Sequence, residues 1–174
     1  MSDVDPRRNL ELKARLPDLD TAREAVRQIG ARPGSTERQT DTYFLVPHGR
    51  LKLRQIEGQP ALLIAYHRPD ISGVRSCDYH LLAVDDPAAI RALLATCLGE
   101  RGQVRKCREI WFWHNVRIHL DDVADLGSFI EFEAVLSQID DEPTSQARLD
   151  RLCEVVSIDP SAALAPAYAD LLGF

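Results

Sequence analysis

Apolar and polar residues alternate along much of this chain, most strictly in residues 127–137, Gly-Ser-Phe-Ile-Glu-Phe-Glu-Ala-Val-Leu-Ser. Ile130 and Phe132 fall on one side of an extended segment, Glu131 and Glu133 on the other, because successive strand side chains point to opposite faces. Two carboxylates in register repel each other and need water, cations or a metal beside them. Leu10-Glu11-Leu12-Lys13 repeats the pattern, and so does Leu51-Lys52-Leu53-Arg54. The working expectation is that these strands turn their charged faces toward one shared interior.

Around these segments the pattern predicts further elements. Residues 8–16 read as a strand closed by Pro17, after a tail at residues 1–7. Asp18 to Thr21 offers helix-capping chemistry, and Leu19, Ala22, Ala25, Val26 and Ile29 follow at helical spacing up to Gly30. Pro33-Gly34-Ser35 predicts a loop, and residues 38–46 a strand. Residues 50–66 read as a hairpin turning at Glu57-Gly58-Gln59, and Val74 to Val84 as another strand. Asp85-Asp86-Pro87 starts a helix whose stripe is Ile90, Leu93, Leu94 and Leu98. Residues 103–121 hold two strands that break near His114-Asn115. From Asp140 the period becomes helical, with Leu149, Leu152, Val155 and Val156 on one face, and a last short helix holds Leu164, Tyr168, Leu171 and Leu172.

About eight strands joined mostly by short turns imply an antiparallel sheet. With charges on one face and apolar groups on the other, the predicted fold is α+β: an eight-stranded antiparallel barrel with a charged lumen and helices packed outside. No repeat or linker divides the chain, so residues 1–174 are expected to form one domain.

Composition narrows the function. Net charge is −6 and pI about 5.3, which argues against a nucleic-acid partner. No apolar run reaches the roughly 18 residues of a membrane span, and the polar N-terminus lacks a secretory core. The four cysteines form no C-x-x-C pair, and the expectation is a cytoplasmic protein, monomer or homodimer, with reduced thiols. His114 and His119 lack the spacing of a zinc pair.

The charged positions then form a constellation. Its acids are Glu11, Asp121, Glu131 and Glu133; its bases are Lys13, Lys52, Arg54, Lys106, Arg108 and Arg117, with Arg68 and Arg75 alongside. Taken singly, each pair is an ordinary wet strand face. Brought together indoors, so many cations would demand a polyanion, because unpaired buried charge is costly. The carboxylates suit Mg²⁺ or Mn²⁺, hard cations that bridge phosphates.

In order along the chain, Asn9-Leu10-Glu11-Leu12-Lys13, Gln39 to Phe44, Leu51 to Arg54, Val104 to Arg108, His119 to Val123, Leu126 to Glu133 and Tyr168 to Leu172 resemble the CYTH group. These are the triphosphate tunnel metalloenzymes, among them class IV adenylyl cyclases and thiamine triphosphatases. Asn9 stands where the group's E-x-E-x-K signature has its first glutamate, and His67-Arg68 where many members carry a lysine. The resemblance implies a tunnel in which Glu11, Asp121, Glu131 and Glu133 face divalent metal. It also implies that Lys13, Lys52, Arg54, Lys106 and Arg108 grip a triphosphate. Hydrolysis would use His67 as general base, with Tyr43 orienting or relaying the proton. The expected function is metal-dependent hydrolysis of a triphosphate-bearing small molecule: tripolyphosphate, thiamine triphosphate or a nucleoside triphosphate. Cyclisation of ATP to cyclic AMP and pyrophosphate, or binding without turnover, are the alternatives that share the cradle.

Overall fold

The computed structural model describes residues 7–174, so the expected tail lies outside the described residues except for Arg7, which opens the first strand. Eight strands follow the order β1 (Arg7–Arg15), β2 (Arg32–Phe44), β3 (Arg50–Ile56), β4 (Ala61–His67), β5 (Arg75–Val84), β6 (Glu100–Trp113), β7 (Val116–Val123) and β8 (Gly127–Val135). They close into an antiparallel barrel with strand order β1-β5-β4-β3-β2-β6-β7-β8. Closure gives each of these strands a hydrogen-bonded neighbour on both sides. The α+β barrel read from the alternation is the architecture observed.

Helices cover the outward apolar faces. α1 (Leu19–Gln28) begins at Asp18, whose carboxylate accepts from the backbone N–H groups of Asp20 and Thr21. α3 (Glu142–Val155) begins at Asp141 in the same manner, with Pro143 in its first turn. Between them, Leu10, Leu12, Ile118, Leu120, Ile130 and Phe132 form the largest core with Val26, Leu149 and Leu152. The faces opposite those residues carry Glu11, Lys13, His119 and Glu131, so helix cover and charged lumen are two sides of one alternation. α2 (Pro87–Leu98), capped by Asp86, packs Ile90, Leu94 and Leu98 on Phe44, Leu53, Ala61 and Val84. Leu93, expected in that stripe, is 58% exposed.

Three expectations need correction. The Pro33-Gly34-Ser35 segment is part of β2, not a loop. A register irregularity between Pro33 and Thr36 absorbs the missing proline donor, and Gly34 lets the Phe112 ring approach. An added Cβ on Gly34 would stand 2.6 Å from that ring. The last helix is shorter than expected: a 3₁₀ turn spans Pro160–Ala162 and α4 only Tyr168–Leu171. Leu164 lies between them, its N–H donating to the Lys13 carbonyl (2.7 Å). Finally, the lumen is not charged all round. On β4 and β5 the inward residues include Leu62, Ile64 and Leu81, so one wall is apolar.

Leu12 is fully buried where β1 meets the helix layer. Leu12→Ala should cost about 2–5 kcal/mol of stability through lost burial and a residual cavity. Urea unfolding checks this; a midpoint equal to wild type would contradict the packing described.

Candidate functional site

Two strands bring their bases onto a single carboxylate carried by a third. Asp41 on β2 has no exposed surface and accepts from Arg54 Nε and Nη2 on β3 (both 2.7 Å). Lys52 Nζ lies 3.1 Å from Asp41 Oδ2, and Lys106 Nζ on β6 lies 3.3 Å from the same oxygen. Register explains the convergence: Asp41 is paired with Arg54 across β2–β3, and Gln39 with Lys106 across β2–β6. Burial disfavours the Asp41 anion, but the charges of Arg54, Lys106 and Lys52 outweigh it and hold the carboxyl well below its usual range. Lys106 goes the other way: burial and neighbouring Arg108 lower its ammonium to about 7 in spite of Asp41. Tyr43 and Tyr66 share a hydrogen bond, and Lys52 Nζ lies 5.6 Å and 5.4 Å from their ring centroids. Burial, then the Asp41 charge, push the Tyr43 hydroxyl up, so it is a donor rather than a base.

The opposite wall carries the acids. Arg108 on β6 donates both ends of its fork to Asp121 on β7 (2.6 Å each), and Nη2 also reaches Glu131 on β8 (3.1 Å). Against the cost of burial, Arg108 holds Asp121 at about 2. Tyr168, from α4, donates its hydroxyl to Asp121 (2.7 Å) and lies under the Lys13 ammonium, 4.0 Å from ring centroid to Nζ. Lys13 Nζ is 3.7 Å from Glu131 Oε2. Glu131 and Glu133 are both lowered: burial opposes their ionisation, but Lys13 and Arg108 overcome it for the first, and His119 (where it is protonated) and Arg117 for the second. Glu11 is raised instead, by burial and the Glu131 charge, although Arg75 Nε donates to it at 3.0 Å. Arg68 Nε stands 3.4 Å from the same Glu11 oxygen.

His119 completes this wall. Burial and Arg108 lower its imidazolium to about 4, so the ring is neutral at pH 7. Its Nδ1 is buried without a hydrogen-bond partner. One ligand atom each from His119, Glu131 and Glu133 can lie within 4.8 Å of one another. Two carboxylates and an unsatisfied imidazole nitrogen are a donor set that fits a divalent cation.

These groups enclose a cavity of about 220 Å³. Of the positions expected from sequence, Lys13, Lys52, Arg54, Arg68, Lys106, Arg108 and Arg117 line it, together with Glu11, Glu131, Glu133 and Tyr43. Arg75 and Asp121 stand behind the lining: Arg75 ties Glu11 to the Ile71 and Leu164 carbonyls, and Asp121 is committed to Arg108 and Tyr168. His67 is not brought to the cavity, because Tyr66 points inward and strand alternation turns the next residue to solvent. Asp41 was not among the expected site residues, although it shares the parity of Gln39 and Tyr43. Tyr168 arrives from a segment whose sequence carries no sign of lumen contact. His119, lacking zinc-pair spacing in sequence, meets its carboxylates only across neighbouring strands.

The model of the CYTH domain matches residues 7–154. A provisionally named adenylate cyclase of Methanocaldococcus jannaschii is 22% identical, the match covering 94% of this chain and 98% of that protein. Among solved structures, the PH1012 protein of Pyrococcus horikoshii is 20% identical with a TM-score of 0.76, covering 94% of this chain and 98% of its own. A provisionally named adenylyl cyclase of Hippeastrum, described as having a dominant triphosphatase activity, is 15% identical with a TM-score of 0.64 over 91% of each chain.

Asp41→Asn keeps the shape but leaves Lys52, Arg54 and Lys106 without their common counter-charge. It should lower stability by about 3–5 kcal/mol, with part of the loss recovered by added tripolyphosphate. Denaturant unfolding with and without the anion checks both; an unaffected variant would contradict the role given to Asp41.

Proposed function

The chain belongs to the CYTH domain family, and we propose that it hydrolyses the triphosphate of an organic small molecule held in the barrel lumen. The observation that carries this reading is the convergence of Lys52, Arg54 and Lys106 on Asp41, inside a cavity whose opposite wall holds Glu11, Glu131 and Glu133. Three bases sharing one carboxylate keep more positive charge than one anion cancels. A phosphate chain would take up that excess, as family membership implies for a triphosphate substrate.

Phosphoryl transfer asks a protein mainly for positioning and charge stabilisation. In this reading Lys52, Arg54, Lys106 and Arg108 fix phosphate oxygens from β3 and β6, and Lys13 from β1. Arg68 and Arg117 flank them. Asp121 and Tyr168 act indirectly, by holding Arg108 and Lys13 in place. The protonated Tyr43 hydroxyl can orient the attacking water by hydrogen bonding. His67, on the solvent side, is left out of this scheme. Glu131 and Glu133, with Glu11 close by, would hold the divalent cation. When bound, Mg²⁺ or Mn²⁺ supplies neutralisation and polarisation of phosphate oxygens.

The apolar wall of Leu62, Ile64 and Leu81 favours a substrate with an organic group over bare tripolyphosphate, since a fully ionic ligand gains nothing from hydrocarbon. The same wall would suit a nucleobase, and this supports cyclisation of a nucleoside triphosphate as the second reading. The Hippeastrum protein, provisionally named for cyclisation, has a dominant triphosphatase activity, which supports hydrolysis as the first reading here.

Turnover on thiamine triphosphate, ATP and tripolyphosphate with Mg²⁺ or Mn²⁺ separates the readings. Release of inorganic phosphate, faster from the organic substrates, is expected; cyclic AMP with pyrophosphate, or binding with no turnover, would overturn the proposal. The double variant Glu131→Gln, Glu133→Gln should lose metal-dependent turnover while keeping its circular dichroism, and unchanged activity would contradict the assignment of these residues.

A further inference from the structure

We propose that His119 is a direct ligand of the metal, making with Glu131 and Glu133 a mixed nitrogen–oxygen site that prefers Mn²⁺, Co²⁺ or Zn²⁺ to Mg²⁺. The inference rests on the metal-dependent reading above and adds the identity of the third donor and the class of cation.

The geometry comes from strand register. His119 on β7 is paired with Glu131 on β8, and Glu133 lies two residues further along the same face. Adjacent strands therefore present an imidazole beside two carboxylates, with a ligand atom of each within 4.8 Å of the others. That spread is larger than direct hydrogen bonding requires and suits groups arranged about a common centre. His119 Nδ1 lies 3.9 Å from Glu133 Oε1, beyond a hydrogen bond.

The second observation is the unsatisfied nitrogen itself. His119 is only 4% exposed, and its Nδ1 has no partner. Buried polar atoms nearly always find one, so an orphan nitrogen on a ring that lines the cavity beside two carboxylates points to a ligand shared by all three. The competing arrangement is a simple Nδ1–H bond to Glu133. Against it, the other Glu133 oxygen is drawn to Arg117 at 2.8 Å, and the remaining one stays out of reach of the ring. On the neighbouring strand, Asn9 lines the same cavity, and its Oδ1 is likewise buried without a partner.

Donor chemistry sets the choice of cation. Mg²⁺ takes oxygen ligands in strict octahedral geometry and gives up water reluctantly. Imidazole suits later first-row metals, and affinity for a site containing nitrogen rises from Mn²⁺ through Co²⁺ to a maximum at Cu²⁺ before falling at Zn²⁺. Substituting one carboxylate by a neutral ring also removes a negative charge that a hard cation would use. The site is thus tilted away from Mg²⁺ by both ligand type and charge.

The test is metal binding to the chelator-stripped full chain, with no substrate present. Mn²⁺ titration followed by electron paramagnetic resonance should show binding tighter than that of Mg²⁺ in competition. Pulsed measurements on the Mn²⁺ form should show coupling to a directly bound ¹⁴N. His119→Gln should lose the ¹⁴N coupling and weaken Mn²⁺ by at least about tenfold. Wild-type protein that binds Mn²⁺ without ¹⁴N coupling, or binds Mg²⁺ as tightly, overturns the proposal, and neither result needs the variant to fold. A ¹⁴N-coupled site in a protein that fails to hydrolyse any triphosphate would uphold this assignment and defeat the hydrolytic one, so the two can fail separately.

Discussion

Buried charge held by buried counter-charge is the constraint on which this molecule turns. An isolated ion inside a protein is prohibitively costly, and even a good pair only about breaks even against hydrocarbon. The lumen nevertheless contains Lys13, Lys106, Arg108, Asp41, Asp121 and Glu131, all nearly inaccessible. They coexist because strand register places opposite charges side by side: Asp41 with Arg54, Lys52 and Lys106, and Asp121 with Arg108. Such a network adds little to stability compared with an apolar interior. Its value lies in being preorganised, since the donors are already desolvated and aimed before a ligand enters.

The helices follow from the same constraint. A small barrel normally fills its inside with hydrocarbon. Once the inside is polar, the apolar residues of each strand face outward and need another cover. α1 and α3 supply it over β1, β7 and β8, and α2 over β3 and its neighbours. The C-terminal segment has a different part. Its backbone carbonyls at Leu164 and Ala165 accept from Arg75 and Arg68, and its Tyr168 enters the charge network beneath Lys13. Removing either the cover or this segment would therefore disturb the lumen through the wall.

Much of this was legible in the sequence because a strand has only two faces. Glu131 and Glu133 against Ile130 and Phe132, or Glu11 and Lys13 against Leu10 and Leu12, give both the element and its orientation. Asp41 was equally legible by parity, since it lies between Gln39 and Tyr43. A lone carboxylate among phosphate-binding bases does not stand out in the sequence until the three bases are seen to share it. Other features depend on register, which parity does not supply. The meeting of His119 with Glu131 and Glu133 needs the β7–β8 pairing, and Arg68 followed a strand that is apolar on both faces. Histidine chemistry favours His67 as a base, whereas its position one residue after the inward Tyr66 sends it outside. Tyr168 reaches the site over a long sequence separation, from a short helix whose packing on Val104, Val123 and Phe129 no local pattern gives.

The most direct test of the account is a crystal structure with a non-hydrolysable organic triphosphate and Mn²⁺. The account predicts phosphates inside the barrel against Lys52, Arg54 and Lys106, the organic group along Leu62, Ile64 and Leu81, and metal at Glu131 and Glu133. Phosphates bound on the outer surface, with the Asp41 and Asp121 networks unaltered and the lumen closed to the ligand, would contradict it.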